Sequence, residues 1–156
     1  MFWNSVFYSV CITLIGLIIS FLAAFSFYYS NFSGKKIIYS IYILLMMMPL
    51  QVTILPNYIG LRNMNLLNTR YAIILPLIFS PFGVVVLCQY MSGLEDGIIE
   101  ATRLETNSVI RILITSVVPQ IKGLISAVIL YVFLDSWSIV EQPLLLIKDE
   151  KLKPWI

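Results

Sequence analysis

The first 34 residues carry no charged side chain, and the charges that follow fall in a few short clusters. A bilayer-spanning helix needs about 20 mostly apolar residues. The uncharged run from about Val6 to Tyr29 therefore predicts a first span, closed by a polar turn at Ser33, Gly34, Lys35 and Lys36. A second uncharged run covers Ile37 to Leu61 and a third Tyr71 to Met91. A fourth apolar run, Gly123 to Ile147, is interrupted by Asp135 and Glu141. In hydrocarbon every backbone N–H and C=O must be paired internally, which helices achieve on their own. The predicted fold class is all-α integral membrane, a polytopic helical bundle of about four spans. Composition agrees. The chain is 60% hydrophobic and 12% charged, where an ordinary soluble domain is about 45–50% apolar and about 25% charged. The length fits a single domain over 1–156.

Composition also removes whole classes of function. There is no histidine, so histidine metal centres and Ser-His or Cys-His catalysis are absent. Cys11 and Cys88 lie inside apolar runs and read as small buried hydrophobes, not as a disulfide framework. Asp135 is the sole acid well inside a predicted span, which leaves no partner for an intramembrane aspartyl pair. The net charge of +2 is spread without a basic stripe, so nucleic acid is not an expected partner. No cofactor or metal is implied. The first segment begins Met1-Phe2-Trp3-Asn4 without a basic stretch, and its apolar run is longer than that of a cleavable leader. It reads as a span.

Prolines punctuate the runs. Pro49 lies inside the second and Pro56 near its end, and Pro76 and Pro81 lie in the third. Proline removes a donor and clashes with the preceding turn, so a kink or break is expected at Pro49. Such kinks survive in lipid only where neighbouring helices or water satisfy the freed carbonyls, which suits a transport pathway better than a simple anchor. Asn57 to Arg70 reads as a polar loop.

The one substantial hydrophilic region is 92–120, between the third and fourth runs. It holds Glu95, Asp96, Glu100, Arg103, Glu105 and Arg111, with apolar residues at helical spacing: Ile98, Leu104, Ile110, Leu113 and Val117. This predicts two short helices with a bend at Thr106-Asn107-Ser108, Ser108 capping the second, and Pro119 separating that helix from the fourth span. The residues alone leave two readings open, a surface that docks on a partner or a helix pair resting on the lipid interface.

The same region resembles the cytoplasmic loop of ABC importer permeases. That family's pattern is Glu-Ala-Ala, three residues, Gly, nine residues, then Ile-x-Leu-Pro. Glu100, Ala101 and Pro119 match at the right spacing. Val118 stands for Leu, Thr102 for Ala, Thr106 for Gly and Ser116 for Ile. The flanks extend the likeness: Met47-Met48-Pro49-Leu50-Gln51-Val52-Thr53, then Leu66-Leu67-Asn68-Thr69, Ile74-Leu75-Pro76, Ser80-Pro81-Phe82-Gly83, and Ser136-Trp137 followed by Pro143-Leu144. The likeness runs in order along nearly the whole chain. It is nearest to the binding-protein-dependent carbohydrate permeases, of the maltose-permease type.

The resemblance implies a multi-pass protein of the bacterial cell membrane that moves a sugar or oligosaccharide by alternating access. It is not itself an enzyme: separate ATPase subunits would hydrolyse ATP and dock on the coupling loop at Glu100, Ala101, Thr102, Thr106 and Pro119. A second permease subunit and an extracytoplasmic sugar-binding protein would complete the assembly, in the lipid bilayer. Such permeases usually have six spans and four are read here, so the resemblance implies that the usual first and last are absent. A truncated, non-functional remnant, or a polytopic protein of another transport class, are the rival readings. The likeness also sets orientation, because the positive-inside rule ties: Lys35, Lys36, Arg103, Arg111 and Lys122 fall on one side, and Arg62, Arg70, Lys148, Lys151 and Lys153 on the other.

An ionised side chain at a helix centre costs about 2.5–3.5 kcal/mol on insertion scales, so Asp135 is expected to face protein or water. At helical spacing Asp135, Ser138 and Gln142 share one face with Trp137 beside it. Sugar sites pair aromatic faces with hydrogen-bonding groups, so these four are the expected pathway lining. The alternative is that Glu141, at the edge of this face, is merely solvated near the interface.

Overall fold

The computed structural model describes residues 2–94, 97, 102, 104, 106, 108–139, 141–150, 153 and 154, with Glu141 described by its backbone alone. Its regular elements are helices: α1 (Phe2–Tyr29), α2 (Lys35–Met46), α3 (Leu50–Asn63), α4 (Arg70–Leu77), α5 (Pro81–Met91), α6 (Val109–Trp137) and α7 (Glu141–Leu146). Three stretches are long and apolar enough to cross a bilayer: α1, the α4–α5 unit Arg70–Met91, and α6. A fourth exists if α2 and α3 count as one broken span.

The second predicted span is broken, not merely kinked. Its halves meet at 105°. Pro49 has no N–H to give and disfavours the helical conformation at Met48, so α2 ends at Met46 and Pro49, extended at φ −69°, ψ 150°, leads into α3. Helix α3 ends in a Schellman motif. Asn65 takes the left-handed conformation at φ 56°, its N–H bonds Arg62 O, and the Leu66 N–H bonds Leu61 O.

Helix α1 is the spine and packs most extensively on α5 and α6. Its inward stripe is small and hydroxylated, with Ser5, Ser9, Thr13, Gly16, Ser20 and Ala24 all buried. Between lipid-embedded helices the driving force is close packing, and small residues permit it. Gly16 shows the need. A Cβ there would stand 3.2 Å from the Ile78 carbonyl oxygen, at the point where α4 stops and α5 has not begun. Ser20 Oγ donates to Ser80 O at 3.4 Å, and Ser80 Oγ accepts the Gly83 N–H at 3.2 Å as N-cap of α5. The proline-induced gap of the third span is thus covered by the small face of α1. Phe27 of α1 meets Tyr39 and Tyr42 edge-on and anchors α2, while the outward residues of α2 and α3 stay bare, Ile37 at 69% and Leu55 at 64%.

The fourth span departs from its predicted bounds. It starts at Val109, not Gly123, and stops at Trp137, not Ile147. Pro119 does not separate the loop helix from it; the helix passes through. The reason is a π-helical turn over Leu113–Val117, in which the Val118 N–H reaches back to Leu113 O. Pro119 follows directly on this wider turn, and Gln120 Nε2 donates to Ser116 O at 2.6 Å. So the second of the two expected short helices is the beginning of the span itself.

Candidate functional site

Three helix breaks converge. The Met47–Pro49 corner, the 78–80 gap and the end of α6 at 136–139 border one cavity of about 330 Å³. Met46, Met48 and Leu50 contribute from the first, Phe79, Ser80 and Pro81 from the second, and Ser136, Ile139 and Gln142 from the third. The first two breaks fall near the middle of their segments, 35–63 and 70–91. Irregular backbone at that depth is tolerated where it is buried in protein or lines a water-filled cavity, and discontinuous helices lining a midplane site are a recurrent solution for solute binding.

The polar lining is Thr53, Asn57, Ser80, Tyr131, Asp135, Ser136 and Gln142. Gln142 is 2% exposed, and its Oε1 has no hydrogen-bond partner among the described residues. A buried acceptor left open in this way invites water or a ligand hydroxyl. Thr53 Oγ1 donates back to Leu50 O at 2.9 Å. Tyr131 stands over Phe82, ring centroids 4.3 Å apart, and presents an aromatic wall. Asp135 is the sole charged side chain among the described lining residues, and the cavity supplies the polar surroundings that hydrocarbon would deny it.

Of the four residues expected to line a pathway, the structure brings Asp135 and Gln142 to this cavity and leaves Trp137 and Ser138 away from it. Trp137 stacks on Phe133 and meets Phe2 edge-on. Ser138 caps the end of α6, its Oγ donating to Leu134 O at 2.8 Å. The single helical face that would have aligned Asp135, Ser138 and Gln142 does not exist, because the helix stops at Trp137 and α7 begins only at Glu141. Thr53, Asn57 and Tyr131 were missed. Thr53 and Asn57 lie four apart on α3, one helical face, in a stretch otherwise assigned to loop and span end.

Helix α7 is held in place by Asn68. Its side-chain Oδ1 accepts the N–H groups of Lys148 and Asp149 at 3.0 and 2.9 Å, and its own N–H donates to Leu146 O at 3.0 Å. Asn68 adopts φ 60°, a left-handed conformation that Asn tolerates better than most residues.

In the surface loop, Glu100 and Ala101 lie outside the described residues. Thr102 is half-buried, and its Oγ1 lies 2.6 Å from Ser116 Oγ. The Thr106 N–H donates to Thr102 O at 3.0 Å, and Thr106 Oγ1 accepts the Ser108 N–H at 3.2 Å. Ser108 caps α6, accepting from the Arg111 N–H at 3.5 Å, as its position predicted. Pro119 is exposed on the side of α6.

Broken apolar helices around a part-polar cavity define a polytopic helical membrane protein. Residues 16–149 match the model of the family described as binding-protein-dependent transport system inner membrane component, and the chain belongs to that family. It is a multi-pass protein of the bacterial inner membrane. It is 26% identical over 151 residues to the arabinooligosaccharides transport system permease protein AraQ of Bacillus subtilis (strain 168), covering 97% of this chain and 54% of the relative. It is 28% identical over 155 residues to the sn-glycerol-3-phosphate transport system permease protein UgpE of Salmonella typhi, covering 97% and 55%. A chain of a bacterial ABC transporter involved in the import of the acidic polysaccharide alginate superposes with a TM-score of 0.88 at 20% identity, over 98% of this chain and 54% of that one, which shows a shared fold. The chain spans about half the length of the curated relatives it matches.

Proposed function

We propose that this chain acts as a membrane-spanning permease subunit of an ATP-binding-cassette importer and contributes to a pathway for a sugar or oligosaccharide, opened alternately to the two sides. The observation that carries this reading is the cavity at which three broken helices meet, with the unpaired Gln142 acceptor and Asp135 on its wall. Its chemistry favours an uncharged, hydroxyl-rich solute. Hydroxyl, amide and carboxylate groups stand beside the Phe82–Tyr131 ring pair, and no basic side chain appears among the described lining residues. An anionic solute would meet Asp135 without a compensating cation.

On this reading ATP hydrolysis belongs to separate ATPase subunits, which the 92–120 loop engages from the cytoplasm through the surface around Glu100, Ala101, Thr102 and Thr106. A second permease subunit and an extracytoplasmic sugar-binding protein complete the importer. Ala101 is small enough to allow close approach of an ATPase groove. The test is a pull-down of the tagged chain co-expressed with the ATPase and partner-permease subunits of the same genome. Wild type captures the ATPase and Ala101→Trp does not. Equal capture refutes docking through this face, and capture by neither favours the non-functional remnant.

A further inference from the structure

Ser116 behaves unlike the other hydroxyl-bearing residues of α6. Thr115, Ser126 and Ser136 each donate to the carbonyl four residues back, of Arg111, Lys122 and Val132. This is the usual way an embedded helix satisfies a hydroxyl. Ser116 instead reaches out of its helix. Its Oγ lies 2.6 Å from Thr102 Oγ1, fourteen residues earlier on the surface loop. The residue is 7% exposed and sits in the π-helical turn, next to the Val117 that leads towards Pro119. Its carbonyl takes the Gln120 side-chain amide, so both polar groups of Ser116 are committed.

The pairing also accounts for two departures from the family pattern noted above, Thr102 in place of Ala and Ser116 in place of Ile. The two hydroxyls that these departures introduce meet each other. π-Turns inside α-helices recur at functional sites because the wider turn re-aims the side chains it carries. Here the side chain so placed is the one that holds the loop.

We propose that Thr102 and Ser116 form a hydroxyl clasp that fastens the surface loop to the π-turn of α6, so that a displacement of the loop is passed to the span whose far end borders the cavity. Both are positioning residues. The physical basis is that α6 is continuous from Val109 to Trp137, and Tyr131, Asp135 and Ser136 near its end line the cavity, with Ile139 just beyond it. A loop fixed to its first turns cannot move without moving that helix, whereas a loop joined only through the chain at 105–108 could swing free of it. The inference rests on the reading that the loop docks on an ATPase.

Two measurements test it. In a background with Cys11→Ala and Cys88→Ala, membranes carrying Thr102→Cys and Ser116→Cys are oxidised with copper phenanthroline, and free thiols are counted by maleimide–polyethylene glycol mobility shift. The pair cross-links and loses both shifts, while Thr102→Cys with Ser126→Cys keeps them. A Thr102/Ser116 pair that stays fully reactive overturns the clasp, whatever the ATPase does. The second measurement uses the assembled complex with Ile139→Cys as reporter in the cavity, labelled by a water-soluble methanethiosulfonate without nucleotide and after trapping with MgATP and vanadate. Trapping changes the labelling rate by about fivefold or more in the otherwise wild-type chain, the lower range of an allosteric coupling. Ser116→Ala abolishes that change while ATPase capture is unaltered. The exchanged pair Thr102→Ser with Ser116→Thr restores it, and so does the apolar pair Thr102→Ala with Ser116→Ile. Single variants that keep the full change, or paired variants no better than the singles, overturn the inference alone. A wild-type chain that captures no ATPase overturns the docking reading and the transmission role with it, leaving the cross-link to report only a structural contact.

Discussion

Removing the side chain of Asn68 should free the short helix that carries Gln142, and the structure allows the cost to be apportioned. Two hydrogen bonds depend on Oδ1, from the Lys148 and Asp149 N–H groups, and one depends on the backbone N–H. Asn68→Gly keeps the third and accepts the left-handed φ without strain, but loses the first two. Each is worth about 0.5–1.5 kcal/mol, and both are exposed, so the lower part of that range applies. A loss of about 1–2 kcal/mol raises the population of the opened tail by about 5–30-fold. Asn68→Ala loses the same bonds and adds the cost of a Cβ in the left-handed region, about 1–2 kcal/mol more. Asn68→Asp retains the acceptor and should resemble wild type. The assay is the rate of tryptic cleavage after Lys148 in membranes or mild detergent, at low protease, where cleavage follows the equilibrium population of the open form. The expected order is Ala fastest, then Gly, then Asp and wild type together. If Gly cleaves no faster than wild type, the side chain does not hold α7. If Ala and Gly are equal, the strain assigned to φ 60° is absent.

Gly16→Val should destabilise the bundle by about 1–3 kcal/mol, because the new side chain meets the Ile78 carbonyl at the α4–α5 gap. A thermal melt in detergent, followed by a thiol-reactive dye on buried Cys88, would show an unchanged midpoint if α1 does not seal that gap. Pro119→Ala should leave insertion intact and should not lower the same midpoint, since α6 already runs through this position as a helix. A clear drop would mean that the proline terminates a helix after all.

Much of this architecture was legible in the sequence because lipid imposes one dominant rule, that uncharged runs of sufficient length become helices. The first span, the third span and the Ser108 cap follow from residue order alone. The break at Pro49 was expected too, though its 105° angle was not. The cavity was legible only in part. Asp135 and Gln142 were singled out because polar groups inside apolar runs are costly. Trp137 and Ser138 follow only from a helical period carried across 138–139, where α6 has already ended. No proline or glycine occupies those positions to announce the break. The segment after the break is tied instead by a tertiary contact: Asn68 accepts the Lys148 and Asp149 N–H groups, 80 and 81 positions later, and no local pattern encodes such a bond.

Pro49 and Pro119 make the same point from opposite outcomes. Both lack a donor, and both lie in runs that otherwise read as helix. At Pro49 the chain turns: α2 stops at Met46, the Leu44 and Leu45 carbonyls accept the Met47 and Met48 N–H groups in a tighter turn, and the corner opens onto the cavity. At Pro119 the chain continues, directly after a π-turn in which the Val118 N–H bonds Leu113 O. The difference has a functional consequence. The break at Pro49 makes a wall of the cavity, and the passage at Pro119 makes a continuous helix from the surface loop to that cavity, so on the proposed reading the two prolines would supply the fixed site and the moving part of one device.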